Sequence, residues 1–138
     1  MKNLLKLLVI VMFLSVLNAC EPDTQTGPDT DVRDNFVGTW IFSESSPNRS
    51  VYSTYSVVIS KNPSNSSQVL LSNFTAAGSG TSAYGIVTST SITVPSQTIA
   101  TDYIVDGSGI LSNSSTMNWS YSYTAGGDKT DCTATATK

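Results

Sequence analysis

From Phe36 onward the chain is a succession of short runs in which apolar and hydroxylated side chains alternate, each closed by turn-forming residues. A period of two is what a half-buried strand requires, because successive side chains leave the backbone on opposite faces. Eight such runs are legible: Phe36–Glu44, Val51–Ser60, Gln68–Phe74, Ala83–Thr88, Ser91–Ile99, Asp102–Leu111, Thr116–Thr124 and Lys129–Thr137. Most of the breaks between them are short, which pairs successive strands antiparallel as hairpins. The seventh run is the clearest. Met117, Trp119, Tyr121 and Tyr123 face one way, and Asn118, Ser120, Ser122 and Thr124 the other. Such a sheet has a dry side and a wet side. The expectation is an all-β domain, a single eight-stranded antiparallel up-and-down barrel, because closure removes the two edges that a threonine-rich sheet would otherwise expose. A two-sheet β-sandwich satisfies the same alternation. Gly107 and Gly109 predict a bend or bulge in the sixth run, and Pro95 a local break in the fifth.

Composition excludes several functions. There is no histidine, so imidazole acid–base chemistry and His-ligated metal sites are absent. The carboxylate pairs Asp102/Asp106 and Asp128/Asp131 flank turns, where aspartate ordinarily bonds the backbone, so no catalytic residues are assigned and no enzyme is expected. Neither a metal site nor a cofactor is expected. After residue 19 five basic residues face ten acidic ones, 5 − 10 = −5, which argues against nucleic acid and against electrostatic docking on anionic lipid. Serine and threonine make up roughly a third of the residues after position 35, yet aromatic and β-branched residues recur among them, unlike a disordered segment. Cys132 shares one strand face with Ala134 and Ala136 and reads as a small core residue.

The N-terminus has a different character. Lys2 and Lys6 precede an apolar run, Leu7 to Leu17, too short to cross a bilayer as a mature helix, and the small Ala19 follows. These are the parts of a secretory signal. Leu17-Asn18-Ala19-Cys20 resembles a bacterial lipobox. The resemblance implies cleavage before Cys20, lipidation of its thiol and acylation of the new amino terminus, enough buried chain for stable anchoring. The organisation expected is residues 1–19 as lipoprotein signal peptide, 20–35 as lipidated cysteine and flexible acidic tether, and 36–138 as the barrel domain. The location expected is the cell envelope, lipid-anchored, at the outer membrane. Residues 21–35, with Pro22, Pro28, Gly27, Glu21 and four aspartates, suit a tether.

The first run carries Phe36-Val37-Gly38-Thr39-Trp40-Ile41-Phe42. Gly-x-Trp at the start of an eight-stranded meander resembles the lipocalin-like, or calycin, barrels. With its polar hairpins and C-terminal Thr-Ala-Thr strand, the chain looks like the small lipocalin-like lipoproteins of Bacteroidetes bacteria. The resemblance implies that Trp40 closes one barrel end and that Gly38 lets the chain pass closely beneath it, both structural. The sequence departs from typical lipocalins in its shortness, in lacking a disulfide, and in offering no evident basic residue near the last strand. An eight-stranded barrel encloses room for packed side chains or one small ligand, and Trp40, Tyr55, Trp119 and Tyr121 should fill much of it.

By analogy of fold, a small hydrophobic ligand would bind at the barrel mouth, lined by Tyr84, Tyr103, Tyr121 and Tyr123. The alternative is a cell-envelope protein-interaction module with a filled core. One version resembles the small lipoprotein barrels that inhibit proteases, although those use a free N-terminal segment and a disulfide that this chain lacks. The partners expected are therefore the membrane, through the N-terminal lipid, and either a small ligand or an envelope protein.

Overall fold

The computed structural model describes residues 30–47 and 49–138; the signal segment, Cys20 and the tether as far as residue 29 lie outside the described residues. Eight strands run in chain order: β1 (Gly38–Ser46), β2 (Arg49–Lys61), β3 (Gln68–Ser72), β4 (Ser82–Val87), β5 (Ser91–Ala100), β6 (Tyr103–Asn113), β7 (Thr116–Ala125) and β8 (Asp128–Thr137). Each pairs antiparallel with the next, and β8 returns to β1 from Ile41↔Thr137 to Ser45↔Thr133. The sheet is one closed barrel. That last pairing excludes the two-sheet sandwich.

The alternation read from sequence sorts the side chains as expected. Trp40 and Phe42 of β1, Val57 and Ile59 of β2, Val69 and Leu71 of β3, Met117, Trp119 and Tyr121 of β7, and Cys132, Ala134 and Ala136 of β8 are all buried. The outward positions are largely hydroxylated, as Thr133, Thr135 and Thr137 illustrate. An apolar interior within a polar wall is the inverse of a lipid-facing barrel. Among the described residues no helix is long and apolar enough to cross a membrane.

Large rings fit inside because their neighbours are small. Tyr121 lies between Gly107 of β6 and Cys132 of β8, and Trp119 between Gly109 and Ala134. A Cβ on Gly109 would run into the Trp119 ring, and one on Gly107 into Tyr121 and the Ser120 carbonyl. At these glycines the β6–β7 register is unbroken from Tyr103 to Leu111, whereas on the other side of β6 the register against β5 shifts beside Gly107, between Val94↔Gly107 and Gln97↔Val105. Toward β7 the glycines mark close approach of a cross-strand side chain. The irregularity expected at Pro95 is present, as a register shift between Val94 and Gln97. There β4 and β5 splay, pairing only at Ile86↔Thr93 and Val87↔Ile92. The Gln97 amide closes the gap by accepting from Tyr84 N at 2.9 Å and donating to Tyr84 O at 2.8 Å, standing in for a peptide group.

One barrel end is sealed by residues 31–37. Asp31 caps a 3-10 turn, Val32–Asn35, by accepting from Arg33 N. Phe36 is fully buried, and its carbonyl accepts the Trp40 indole N–H at 2.7 Å. The closing element thus begins inside the segment assigned from sequence to the tether. Arg33 ties it to the β2–β3 connection, donating to Asn65 O at 3.1 Å and Asn62 O at 3.3 Å. Asp31 pairs with Arg33 at 2.7 Å and with Lys61 at 3.0 Å, and Lys61 also reaches Asp34 at 2.7 Å. Across the same end Lys138 Nζ sits 4.8 Å from the Trp40 ring centroid and donates to Asn35 O at 3.2 Å. At Gly38 the requirement is conformational: its φ is +136°, and the nearest atom a Cβ would meet is 3.8 Å away, so close passage does not explain the glycine.

Two outcomes test this account. Gly107→Ala should lower stability by about 1–3 kcal/mol through overpacking against β7, whereas Gly80→Ala, where nothing lies within 4 Å, should change it by about 0.5 kcal/mol or less; urea midpoints measure both. Hydrogen bonding from Arg33 holds the Asp31 carboxyl well below the ordinary carboxylate range. The stability it contributes is present above the unfolded value and fades as pH falls below about 4. Asp31→Asn, which keeps the cap, should therefore be less stable than the parent at neutral pH. Denaturation at a series of pH values should show that difference shrinking toward acid.

Candidate functional site

The opposite end of the barrel is built differently. The β3–β4 connection turns inward over it as a short 3-10 segment, Phe74–Ala76. Phe74 is fully buried, with ring centroids 5.2 Å from Tyr121, 5.4 Å from Trp119 and 6.4 Å from Phe42. Holding it there takes unusual backbone: Asn73, Thr75 and Ala76 have φ of 62°, 59° and 57°. For a β-branched threonine this is an outlier, of the kind that persists only where surrounding contacts over-determine it. Those contacts are visible. Asn73 Nδ2 donates to Ser56 O at 2.8 Å, Asn73 Oδ1 accepts from Gly78 N at 2.8 Å, and Thr75 Oγ1 lies 2.6 Å from Phe74 O and 3.0 Å from the Tyr103 hydroxyl.

Beside this segment a cavity of about 240 Å³ remains, lined by Glu44, Ser53, Thr75, Ala76, Tyr103 and Tyr123. Glu44 belongs to the inward series Trp40, Phe42, Glu44 of β1 and is only 4 % exposed. Its Oε2 accepts the Tyr121 hydroxyl at 2.6 Å and the Tyr55 hydroxyl at 3.2 Å, and the two hydroxyls are 2.8 Å apart. The 2.6 Å contact has the length of a hydroxyl donating to a carboxylate. Burial pushes the ionisation of Tyr55 and Tyr121 far above the ordinary phenol range, so both remain protonated donors. Burial likewise raises Tyr103. The Tyr103 and Tyr123 rings stack at 5.6 Å with planes 4° apart and form one wall. No ion pair to Glu44 occurs among the described residues, where the four present involve Asp31, Asp34 and Asp131.

Of the four tyrosines read from sequence as lining a site, the structure brings Tyr103 and Tyr123 together at this cavity. Tyr121 lies deeper and meets it only through Glu44. Tyr84 stands apart, for Ala83 and Val87 of the same strand point inward and alternation turns Tyr84 outward. Glu44 was not singled out from sequence, although parity with Trp40 and Phe42 places it inside, and Phe74, read from sequence as the end of the third strand run, lies instead beyond β3, which stops at Ser72, in the 3-10 segment. The interior below is filled, as Trp40, Trp119 and Tyr121 predicted, with Phe42, Phe74 and Phe36 added. Of the carboxylates weighed for catalysis and set aside, Asp106 accepts from Ser122 Oγ at 2.6 Å, and Asp131 pairs with Lys129 at 3.6 Å. A second depression of about 570 Å³, lined by Asp34, Asn35, Ser89, Thr90, Leu111, Ser114 and Lys138, lies at the sealed end, and its lysine is already engaged with Trp40. Comparisons with protein-family models, curated proteins and solved structures find no match.

Because the buried Phe74 ring packs on Tyr121, Trp119 and Phe42 beneath the mouth, Phe74→Ala should cost about 3–5 kcal/mol and leave a void there. The variant should bind the dye anilinonaphthalene sulfonate at temperatures where the parent, still folded, does not.

Proposed function

We propose that the protein is a lipid-anchored bacterial cell-envelope lipoprotein, held at the outer membrane through Cys20, whose non-enzymatic, lipocalin-like barrel binds a small ligand at its open mouth. The observation that carries this reading is the cavity between Glu44 and the Tyr103–Tyr123 pair, a concave site with a few converging polar groups at one end of an otherwise filled barrel. Its position favours a captured molecule over a reacting one, since no nucleophile–base pair or second carboxylate lines it. Its size favours a compact ligand, below the usual range for drug-sized molecules of about 300–1,000 Å³. The filled interior speaks against a long hydrophobic ligand threaded into the barrel. The lipocalin-like reading draws support from the Trp40 end, where the buried indole, bonded to the Phe36 carbonyl, stands at the closed end of the barrel.

The same filled interior favours the second reading, a cell-envelope interaction module that meets a protein partner through its surface. Single exposed side chains such as Ile110 and Val58 on the wall are the apolar surface available to it. They are separated by hydroxylated neighbours and form no broad patch, which places this reading second.

Cys20→Ser should abolish metabolic labelling with radioactive palmitate and release the protein from the membrane fraction; labelling that persists would overturn the anchor. Native mass spectrometry of the full chain, purified gently from envelopes in mild detergent, should show a small adduct lost on denaturation. A protein mass with no adduct, joined to cross-linking that captures one defined envelope partner, would favour the second reading.

A further inference from the structure

We infer that the barrel stands on the membrane by its sealed end, so that the mouth opens away from the lipid and a ligand reaches it from water rather than from the bilayer. The inference rests on the Cys20 anchor proposed above and adds the direction in which the anchored barrel faces.

The chain itself decides where the anchor pulls. Thr30 leads directly into the closing element, and that element is fastened to the sealed end. Arg33 Nη1 donates to Asn65 O at 3.1 Å and to Asn62 O at 3.3 Å, and Lys61 pairs with Asp31 at 3.0 Å and with Asp34 at 2.7 Å. Ten peptide steps separate Cys20 from Thr30, and ten residues reach at most about 36 Å however they run. The barrel is about 25 Å long, since the ten residues of β7 rise ~3.4 Å each at a strand tilt of about 40°. With the sealed end toward the lipid, many contracted paths of those ten residues join the two. With the mouth toward the lipid, about 25 Å of the reach is taken up in passing back along the wall, and a nearly taut chain gives up most of its conformations.

Charge favours the same orientation. By strand position, the sealed half carries Arg33, Lys61 and Lys138 against Asp31 and Asp34, 3 − 2 = +1. The mouth half carries Arg49 and Lys129 against Glu44, Asp102, Asp106, Asp128 and Asp131, 2 − 5 = −3. Anionic headgroups give a lipid surface a negative potential that fades within about 8 Å at physiological salt. A mouth pressed against that surface is repelled, and the sealed end is not. Glu21, Asp23 and Asp29 lie between anchor and barrel in either orientation and do not discriminate.

The mouth is also lined for molecules that arrive through water. Five of its six lining residues, Glu44, Ser53, Thr75, Tyr103 and Tyr123, carry side-chain oxygen. The apolar channel that an acyl chain drawn from a bilayer would need is occupied by Phe42, Phe74, Trp119 and Tyr121, packed ring on ring.

The test places one labelled cysteine at one or the other end of the mature lipoprotein, purified from envelopes and reconstituted in vesicles of phosphatidylethanolamine and phosphatidylglycerol. Ser64→Cys and Ser114→Cys mark exposed connections of the sealed end, and Ser79→Cys and Thr101→Cys those of the mouth. Acylation of Cys20 and burial of Cys132, 3 % exposed, leave the introduced thiol as the one a fluorophore reaches. Unchanged thermal midpoints confirm that the four variants fold. Energy transfer to acceptor lipids then reads the distance of each label from the membrane. The expected result is that both mouth labels stand farther off than both sealed-end labels, by an amount approaching the ~25 Å length of the barrel. Equal distances for the two ends, or mouth labels nearer the lipid, would overturn the inference and leave the anchor standing. Protein that does not float with the vesicles would overturn the anchor reading and the inference together.

Discussion

The barrel depends on the large rings of β7 being received by small residues on both neighbouring strands. Trp119 and Tyr121 project inward from β7, which is paired along its length on both sides, and a closed eight-stranded sheet has little radius to spare. On one side Gly109 and Gly107 give them a wall with no side chain; on the other Ala134 and Cys132 give them a thin one. Phe42, Tyr55 and Phe74 then complete the packing with centroid distances between 5.4 and 5.6 Å to their nearest rings in β7 and β1, or closer in the case of Phe74 and Tyr121 at 5.2 Å. The Trp119 indole N–H is left without a partner among the described residues, so the ring is placed there for its volume.

This pattern explains what could be read from the sequence. Strand positions and face assignments follow from a period of two, which each run carries within itself; Met117, Trp119, Tyr121 and the Cys132-Ala134-Ala136 series needed nothing further. The expected irregularity at Gly107 is present in the β5–β6 register, but the close approach of Trp119 and Tyr121 to Gly109 and Gly107 was not legible, because those rings lie on another strand, ten residues or more along the chain. Tyr84 was grouped with the other tyrosines by residue type, although the parity of Ala83 and Val87 already turned it outward. Glu44 was legible by the same parity and was passed over, since a lone acidic residue near a strand end reads as exposed. Phe74, Arg33 and Lys138 were beyond such reasoning: each acts from a connection or a strand end across the barrel, where local periodicity says nothing.

The seam between β4 and β5 shows how the barrel tolerates a defect. Pro95 cannot donate to a ladder, and the register slips beside it. Two residues later the Gln97 amide reaches Tyr84 N and O, so the separated backbone keeps both its donor and its acceptor satisfied. Closure is therefore maintained where strand pairing is thinnest.

The two ends of the barrel solve opposite electrostatic problems with different means. At the sealed end the acidic side chains Asp31 and Asp34 are near water and are nonetheless matched by Arg33 and Lys61, while Lys138 lies over Trp40. Charge there fastens an element to the barrel, and each pair is partly screened. At the mouth Glu44, 4 % exposed, accepts from the hydroxyls of Tyr121 and Tyr55. An apolar residue of similar volume would fill that inward position of β1 with less desolvation, as Phe42 does two residues earlier.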